Sequence, residues 1–130
     1  MTGYFTIVVC MIFCHIIDDF VLQGICLVHL KQKAFWNENC PKELYKHDYI
    51  VAIIMHGFSW AFMIQLPFLI LLNFIVDYKF LVLLILNTFI HAFIDHLKAN
   101  KFKLNLVQDQ LLHLLQIVYT ALFLSNIIVR

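Results

Sequence analysis

Four apolar stretches, residues 4–30, 49–76, 80–98 and 106–129, each come close to or exceed the roughly 20 residues a helix needs to cross the hydrocarbon of a bilayer. In hydrocarbon every backbone N–H and C=O must be satisfied within the structure itself, and a helix does this within one segment. The rest of the chain agrees: 63% of its 130 residues are hydrophobic and 13% charged, more apolar than an ordinary soluble domain. The expected fold class is therefore all-α: a polytopic membrane protein with four transmembrane helices in a compact bundle, one domain over residues 1–130. Three Gly and two Pro leave little flexible linker, and no repeat of solenoid length is present.

Charge sets the expected orientation. Lys31, Lys33, Lys42 and Lys46 fall in the polar connection 31–48, and Lys98, Lys101 and Lys103 flank the connection 99–105. Both Lys-rich loops are then cytoplasmic and both termini outside. Lys79 and Arg130 are the basic residues on the opposite side. No Lys or Arg precedes Lys31, so the first apolar run lacks the cationic start of a secretory signal and reads as a retained helix. A net charge of +1 gives no electrostatic case for nucleic acid as a partner. Trp36, Tyr45 and Tyr49 fit an aromatic belt at the cytoplasmic interface, and the phenylalanines fit lipid-facing bulk. Pro67 is tolerable inside the second span, which is long enough to be tilted or bent. Cys10, Cys14 and Cys26 read as small buried packing residues, with Cys40 alone in a loop.

Against this background the polar residues stand out. His15 and Asp19 in the first run, His56 in the second, His91 and Asp95 in the third, and Asp109 and His113 in the fourth all lie toward the cytoplasmic ends. They also fall on stripes at helical spacing. Asn87, His91, Asp95 and Lys98 share one face, and Asp109, His113, Gln116 and Thr120 another. The first run adds His15, Asp18 or Asp19, and Gln23, and the second adds His56, Ser59 and Met63. Lipid cannot face such stripes, so packing should turn them inward around one axis.

An Asp at the centre of a membrane helix costs roughly 2.5–3.5 kcal/mol. Pairing of His with Asp can offset this as hydrogen-bonded glue with no ligand at all. A divalent cation compensates more completely, since structural zinc is worth roughly 10–16 kcal/mol in favourable peptides. Imidazole and carboxylate at i,i+4 suit such an ion: zinc first, with iron or manganese as alternatives. The candidate metal ligands are His15, Asp19, His56, His91, Asp95, Asp109 and His113. Asp19, Asp95 and Asp109 are also the candidate catalytic carboxylates. Asp18, Gln23, Gln110 and Lys98 are candidates for orienting ligands or binding substrate, with interfacial snorkelling the alternative for Lys98. Seven groups exceed one tetrahedral shell, which leaves one metal with an oriented surround or a two-metal site. His29, His47 and His96 lie off the stripes and read as interfacial.

The strings "HIIDDFVLQG", "IIMHG", "HAFIDHLK" and "DQLLHLL" together resemble the small bacterial and phage integral membrane proteins of domain-of-unknown-function family 3307. The matched positions are His15, Asp19, Phe20, Gln23, His56, His91, Asp95, Asp109, Gln110 and His113. The resemblance implies a multi-pass protein of a bacterial inner (plasma) membrane and carries over no activity. Three functions are open. One is a metal-dependent hydrolase of a lipid-linked or amphipathic substrate. Another is a metal-ion or proton carrier. The third is a non-catalytic phage or bacterial interaction factor that makes contact through the loop 31–48. The partners expected are the lipid bilayer and either a second copy of the chain or another membrane protein.

Overall fold

The computed structural model describes residues 2–128, among which every regular element is helical. In chain order these are α1 (Thr2–Ile17), a π-helical turn (Asp18–Leu22), α2 (Gly24–Leu30), α3 (Lys33–Asn39), a 3-10 turn (Glu43–Tyr45), α4 (Asp48–Leu71), α5 (Tyr78–Ala99) and α6 (Leu106–Ile128). The four long helices close on one another: α1 packs on α4, α4 on α5, α5 on α6 and α6 on α1. Among the described residues three stretches, Gly3–Leu22, Glu43–Leu71 and Tyr78–Ala99, are long and apolar enough to cross a membrane. α6 is similar in length, but Gln108, Asp109, Gln110, His113 and Gln116 dilute its first half.

The polarity of the packing is inverted relative to a protein folded in water. Phe5, Phe13, Phe20, Phe58, Phe89 and Phe93 are exposed, as are many Leu, Ile and Val side chains. His15, Asp18, His56, His91, Asp95, Asp109 and His113 are buried. Toward the opposite end of the long helices the interior is apolar, filled by Met11, Ile64, Phe68, Leu83, Ile117 and Leu124.

The boundaries have local causes. The run 4–30, expected as one helix, is divided at Gly24, whose φ of +59° lies in the left-handed region that glycine adopts without penalty. α2 therefore leaves the path of α1 and lies against α3 and α4. α4 stops at Leu71 and not near residue 76. Asn73 N–H reaches Ile70 O at 3.1 Å and Phe74 N–H reaches Leu69 O at 2.8 Å, with Asn73 at positive φ: a Schellman ending. α6 begins on a reciprocal cap, in which Asn105 Oδ1 accepts from Gln108 N–H at 2.9 Å and Gln108 Oε1 accepts from Asn105 N–H at 3.1 Å.

The connection 31–48 is not a plain loop, since it carries α3 and the 3-10 turn. Trp36 stacks on Tyr45, donates to Leu30 O at 2.7 Å, and packs against Tyr49, Ile53 and Ala92. These aromatics thus join α3 to α4 and α5, a tighter role than the expected belt. Cys10 and Cys26 are exposed and not buried, because the apolar helices turn part of their surface outward.

α4 and α5 meet at Gly57. A Cβ there would stand 2.7 Å from Thr88 O, so only glycine allows this approach. α5 and α6 run antiparallel with their stripes in register. Asn87 Nδ2 donates to Thr120 Oγ1 at 2.9 Å, and Gln116 Nε2 donates to both Asn87 oxygens at 2.9 Å. One turn or more along, His91 stacks on His113 and Lys98 pairs with Asp109.

Candidate metal centre

The first contribution comes from the π-helical turn. At i+3 and i+4 from His15, Asp18 and Asp19 flank its face about 100° apart, and in the π-helical turn both reach the interior. Asp19 Oδ1 lies 3.4 Å from His56 Nε2 and 4.0 Å from His91 Nε2, while Asp18 Oδ2 lies 3.5 Å from His56 Nδ1. Asp18 is fixed by Ser59, whose hydroxyl donates to its Oδ1 at 2.6 Å. His56 is held between two carboxylates, with Asp18 behind its Nδ1 and Asp19 before its Nε2.

α5 supplies the centre. His91 lies between Trp60 and His113, with ring centroids at 4.3 and 4.2 Å and both rings stacked on it. Asp95 reaches both sides of the group: its Oδ2 is 3.6 Å from His56 Nε2 and 3.9 Å from His91 Nε2, and its Oδ1 is 3.8 Å from His113 Nε2. α6 adds Asp109, whose Oδ1 is 3.4 Å from His113 Nε2. Asp19, His56 and His91 form one set with donor atoms mutually within 4.8 Å, and His91, Asp95 and His113 form another.

These separations are too long for good hydrogen bonds. The shortest, at 3.4–3.6 Å, match the edge of a tetrahedral shell, about 3.4 Å when donors stand about 2.0–2.2 Å from zinc. Those of His91 to Asp19 and Asp95 and of His113 to Asp95 are longer, at 3.8–4.0 Å. The hydrogen-bond inventory agrees. His56 Nε2, both ring nitrogens of His91 and of His113, Asp19 Oδ1 and Asp109 Oδ1 are buried without a hydrogen-bond partner. Each such atom costs about 1–3 kcal/mol unless something takes its lone pair or proton. Protonating both His91 and His113 would set two imidazolium rings face to face, with centroids 4.2 Å apart.

Charge points the same way. Asp18, Asp19, Asp95 and Asp109 are matched by two ammonium groups, Lys31 Nζ at 2.5 Å from Asp95 Oδ2 and Lys98 Nζ at 2.5 Å from Asp109 Oδ2. With neutral imidazoles and all four carboxylates ionised, two negative charges have no ammonium partner, the charge of one divalent cation.

His15 differs from the other three histidines. Trp60 Nε1 donates to its Nδ1 at 2.7 Å, and its Nε2 faces Gln110 Oε1 at 3.0 Å. Both ring nitrogens are engaged, so in this arrangement His15 orients its neighbours and offers no lone pair to an ion. Gln110 also donates to Asp19 Oδ2 and Asp109 Oδ2, each at 3.2 Å, and so links the π-helical turn to α6. Gln23, with its amide turned to suit its neighbours, accepts from Lys31 Nζ at 2.5 Å and donates to Asp19 O at 3.0 Å. His29, His47 and His96 belong to neither ligand set.

Two participants were absent from the sequence-derived set. Lys31, expected as a loop cation, is buried at 6% exposure and paired with Asp95. It gets there because the break at Gly24 folds α2 back, and Asn100 Nδ2 then holds Lys31 O at 2.9 Å. Trp60 is fully buried and sets the planes of His15 and His91. A Lys closing an apolar run at the depth of an unpaired Asp is the signal that points to the first. Trp60, one turn beyond His56 on the same helix, is the corresponding signal for the second.

A cavity of about 340 Å³ opens onto this group, lined by Asp19, Gln23, Lys31, Asp95 and Lys98 on its polar side and by Val28 and Phe102 among its apolar walls. The site is therefore reachable from one end of the long helices.

The family described as "Protein of unknown function (DUF3307)" matches residues 7–129, and the chain belongs to it. No curated protein and no solved structure matches the chain.

Proposed function

We propose that this protein is an integral membrane enzyme, a hydrolase that uses a divalent metal ion held between its helices near the cytoplasmic leaflet. In this reading α1, α4, α5 and α6 are four transmembrane helices forming a bundle in a bacterial inner membrane. Both termini lie outside, and the Lys-rich segments around α3 and after α5 are cytoplasmic. The outward Phe, Leu, Ile and Val side chains and the buried carboxylates and imidazoles are what hydrocarbon as solvent demands.

One observation carries the proposal: Asp19 Oδ1, His56 Nε2 and His91 Nε2 are buried, lack hydrogen-bond partners and converge with Asp95 at separations of 3.4–4.0 Å. Zinc fits this donor set best, with iron or manganese also compatible. His91, Asp95 and His113 provide a second cradle, with Asp109 Oδ1 beside His113, and one or two ions are proposed. A bound ion supplies Lewis acidity and activates water. Asp18 holds the far side of His56, as a carboxylate does behind a metal-bound histidine. Asp19, Asp95 and Asp109 act as ligands or as the base that accepts a proton from water.

The cavity reaches Asp19 and Asp95 from one end, while Met11, Ile64, Phe68, Ile117 and Leu124 fill the interior toward the other. A carrier in one of its alternating states has the same one-sided opening, and ion flux into proteoliposomes separates it from a hydrolase. Protein purified in detergent and loaded with zinc should retain about one or two ions per chain by elemental analysis. It should hydrolyse members of a panel of amphipathic esters and phosphoesters, with both properties lost in His91→Ala. Folded wild-type protein that retains no zinc, iron or manganese refutes the proposal.

A further inference from the structure

The wall of the cavity carries an arrangement that the ligand set alone does not use. Lys31 and Lys98 approach from different elements, the end of α2 and the last turn of α5, and both line the same space. Each ammonium rests on a carboxylate of the metal group, Lys31 on Asp95 Oδ2 and Lys98 on Asp109 Oδ2. An ion that draws on those carboxylates weakens both pairings. Lys31 is 6% exposed, with Gln23 as its other acceptor and the cavity beside it. A largely buried ammonium whose counter-charge is shared with a metal is stabilised by an anion in the adjoining space.

We infer that the cavity binds the phosphate group of an amphipathic molecule and that metal loading creates this anion site; the inference rests on the metal reading above. Two ammonium groups and a divalent ion around one space suit an anion with several oxygens, which can meet all three cations at once. Gln23, also in the wall, adds an amide able to orient that anion. Val28 and Phe102 give the same cavity an apolar side, and Phe102 is 83% exposed at its rim. This is where a hydrocarbon portion attached to the phosphate would lie. The ammonium groups hold the anion, the ion sits beneath it, and the apolar rim receives its tail.

The test is calorimetric titration of the full chain in a phosphate-free maltoside detergent, with and without zinc, using inorganic phosphate and short-chain phosphatidic acid as probes. Zinc content is measured in parallel. Zinc should tighten phosphate binding by about tenfold or more, and by reciprocity phosphate should tighten zinc by the same factor. Lys98→Gln, at the more exposed of the two lysines, should keep zinc at the wild-type stoichiometry yet lose most of that gain. Phosphatidic acid should bind more tightly than inorganic phosphate. Equal affinities would assign the site to free phosphate and overturn the amphipathic part of the inference. If zinc binds and phosphate affinity does not respond, the inference fails while the metal reading stands. If zinc does not bind, both fall.

Discussion

Gly57→Ala tests the geometry without touching a ligand. The added Cβ would stand 2.7 Å from Thr88 O and 3.4 Å from the backbone nitrogen and Cβ of Ala92. Thr88 O belongs to the backbone of α5 and cannot rotate aside, so relief requires the helices to part. Ordinary contact begins at 3.4 Å, which puts the separation needed at about 0.7 Å. His56 is the adjacent residue on α4, and its Nε2 meets Asp95 Oδ2 of α5 at 3.6 Å. Parting the helices by that amount along this line widens the distance to about 4.3 Å, further from the roughly 3.4 Å edge of a tetrahedral zinc shell. The expected cost is about 1–3 kcal/mol in the metal-free protein, and zinc affinity should fall about 10–100-fold, as when a ligand loses its support. Thermal melting in detergent and competition with a chromophoric zinc chelator measure the two effects. Gly3→Ala is the control, because no atom lies within 4 Å of its added Cβ. If Gly57→Ala matches wild type in melting and in zinc affinity, the close approach of α4 and α5, and the reasoning built on it, is wrong.

His91→Ala should abolish zinc retention outright in elemental analysis, since His91 belongs to both ligand sets. Asp18→Asn should lower zinc affinity about 10–100-fold in the chelator assay without changing the number of ions bound, because it alters only the support of His56. Lys31→Met leaves Asp95 buried without its ammonium partner and should destabilise the metal-free protein by about 3–5 kcal/mol. Zinc should then raise its melting temperature more than that of wild type. Asn87→Leu removes the partner of Gln116 and Thr120 and should cost about 1–3 kcal/mol by thermal melting, with zinc stoichiometry unchanged.

The helices and the inward stripes were legible because apolar runs and i,i+4 spacing are local properties. Asn87, His91, Asp95 and Lys98 share one helix face in any fold that keeps α5 helical, and their pairing with Thr120, Gln116, His113 and Asp109 follows from antiparallel packing. The break at Gly24 was hidden because a lone glycine in an apolar run is compatible with a continuing helix, and only its positive φ distinguishes the two. That single torsion moves Lys31 from the expected polar loop into the interior. Trp60 was hidden for a different reason. A tryptophan on an apolar helix reads as bulk until its indole N–H is found on His15 and its face on His91.

The pair Asp18 and Asp19 shows why the ligand set could not be settled from spacing. A regular helix through residues 15–22 would set Asp18 and Asp19 on either side of His15, about 100° apart. In the π-helical turn His15, Asp18 and Asp19 are all directed to the interior. In exchange that turn gives up regular α-helical hydrogen bonding, with Gln23 N–H reaching back to Asp18 O at 2.9 Å. An irregular turn persists where its surroundings hold it, and here Ser59, His56 and Gln110 hold its two carboxylates. Adjacent residues thus meet opposite sides of one ring: Asp19 Oδ1 faces Nε2 of His56 and of His91, while Asp18 Oδ2 lies 3.5 Å from Nδ1 of His56. Two carboxylates on opposite nitrogens of one imidazole suit an imidazolium that donates to both, or a neutral ring that gives Nε2 to a cation and is backed by Asp18. Zinc retention by the folded protein separates the two.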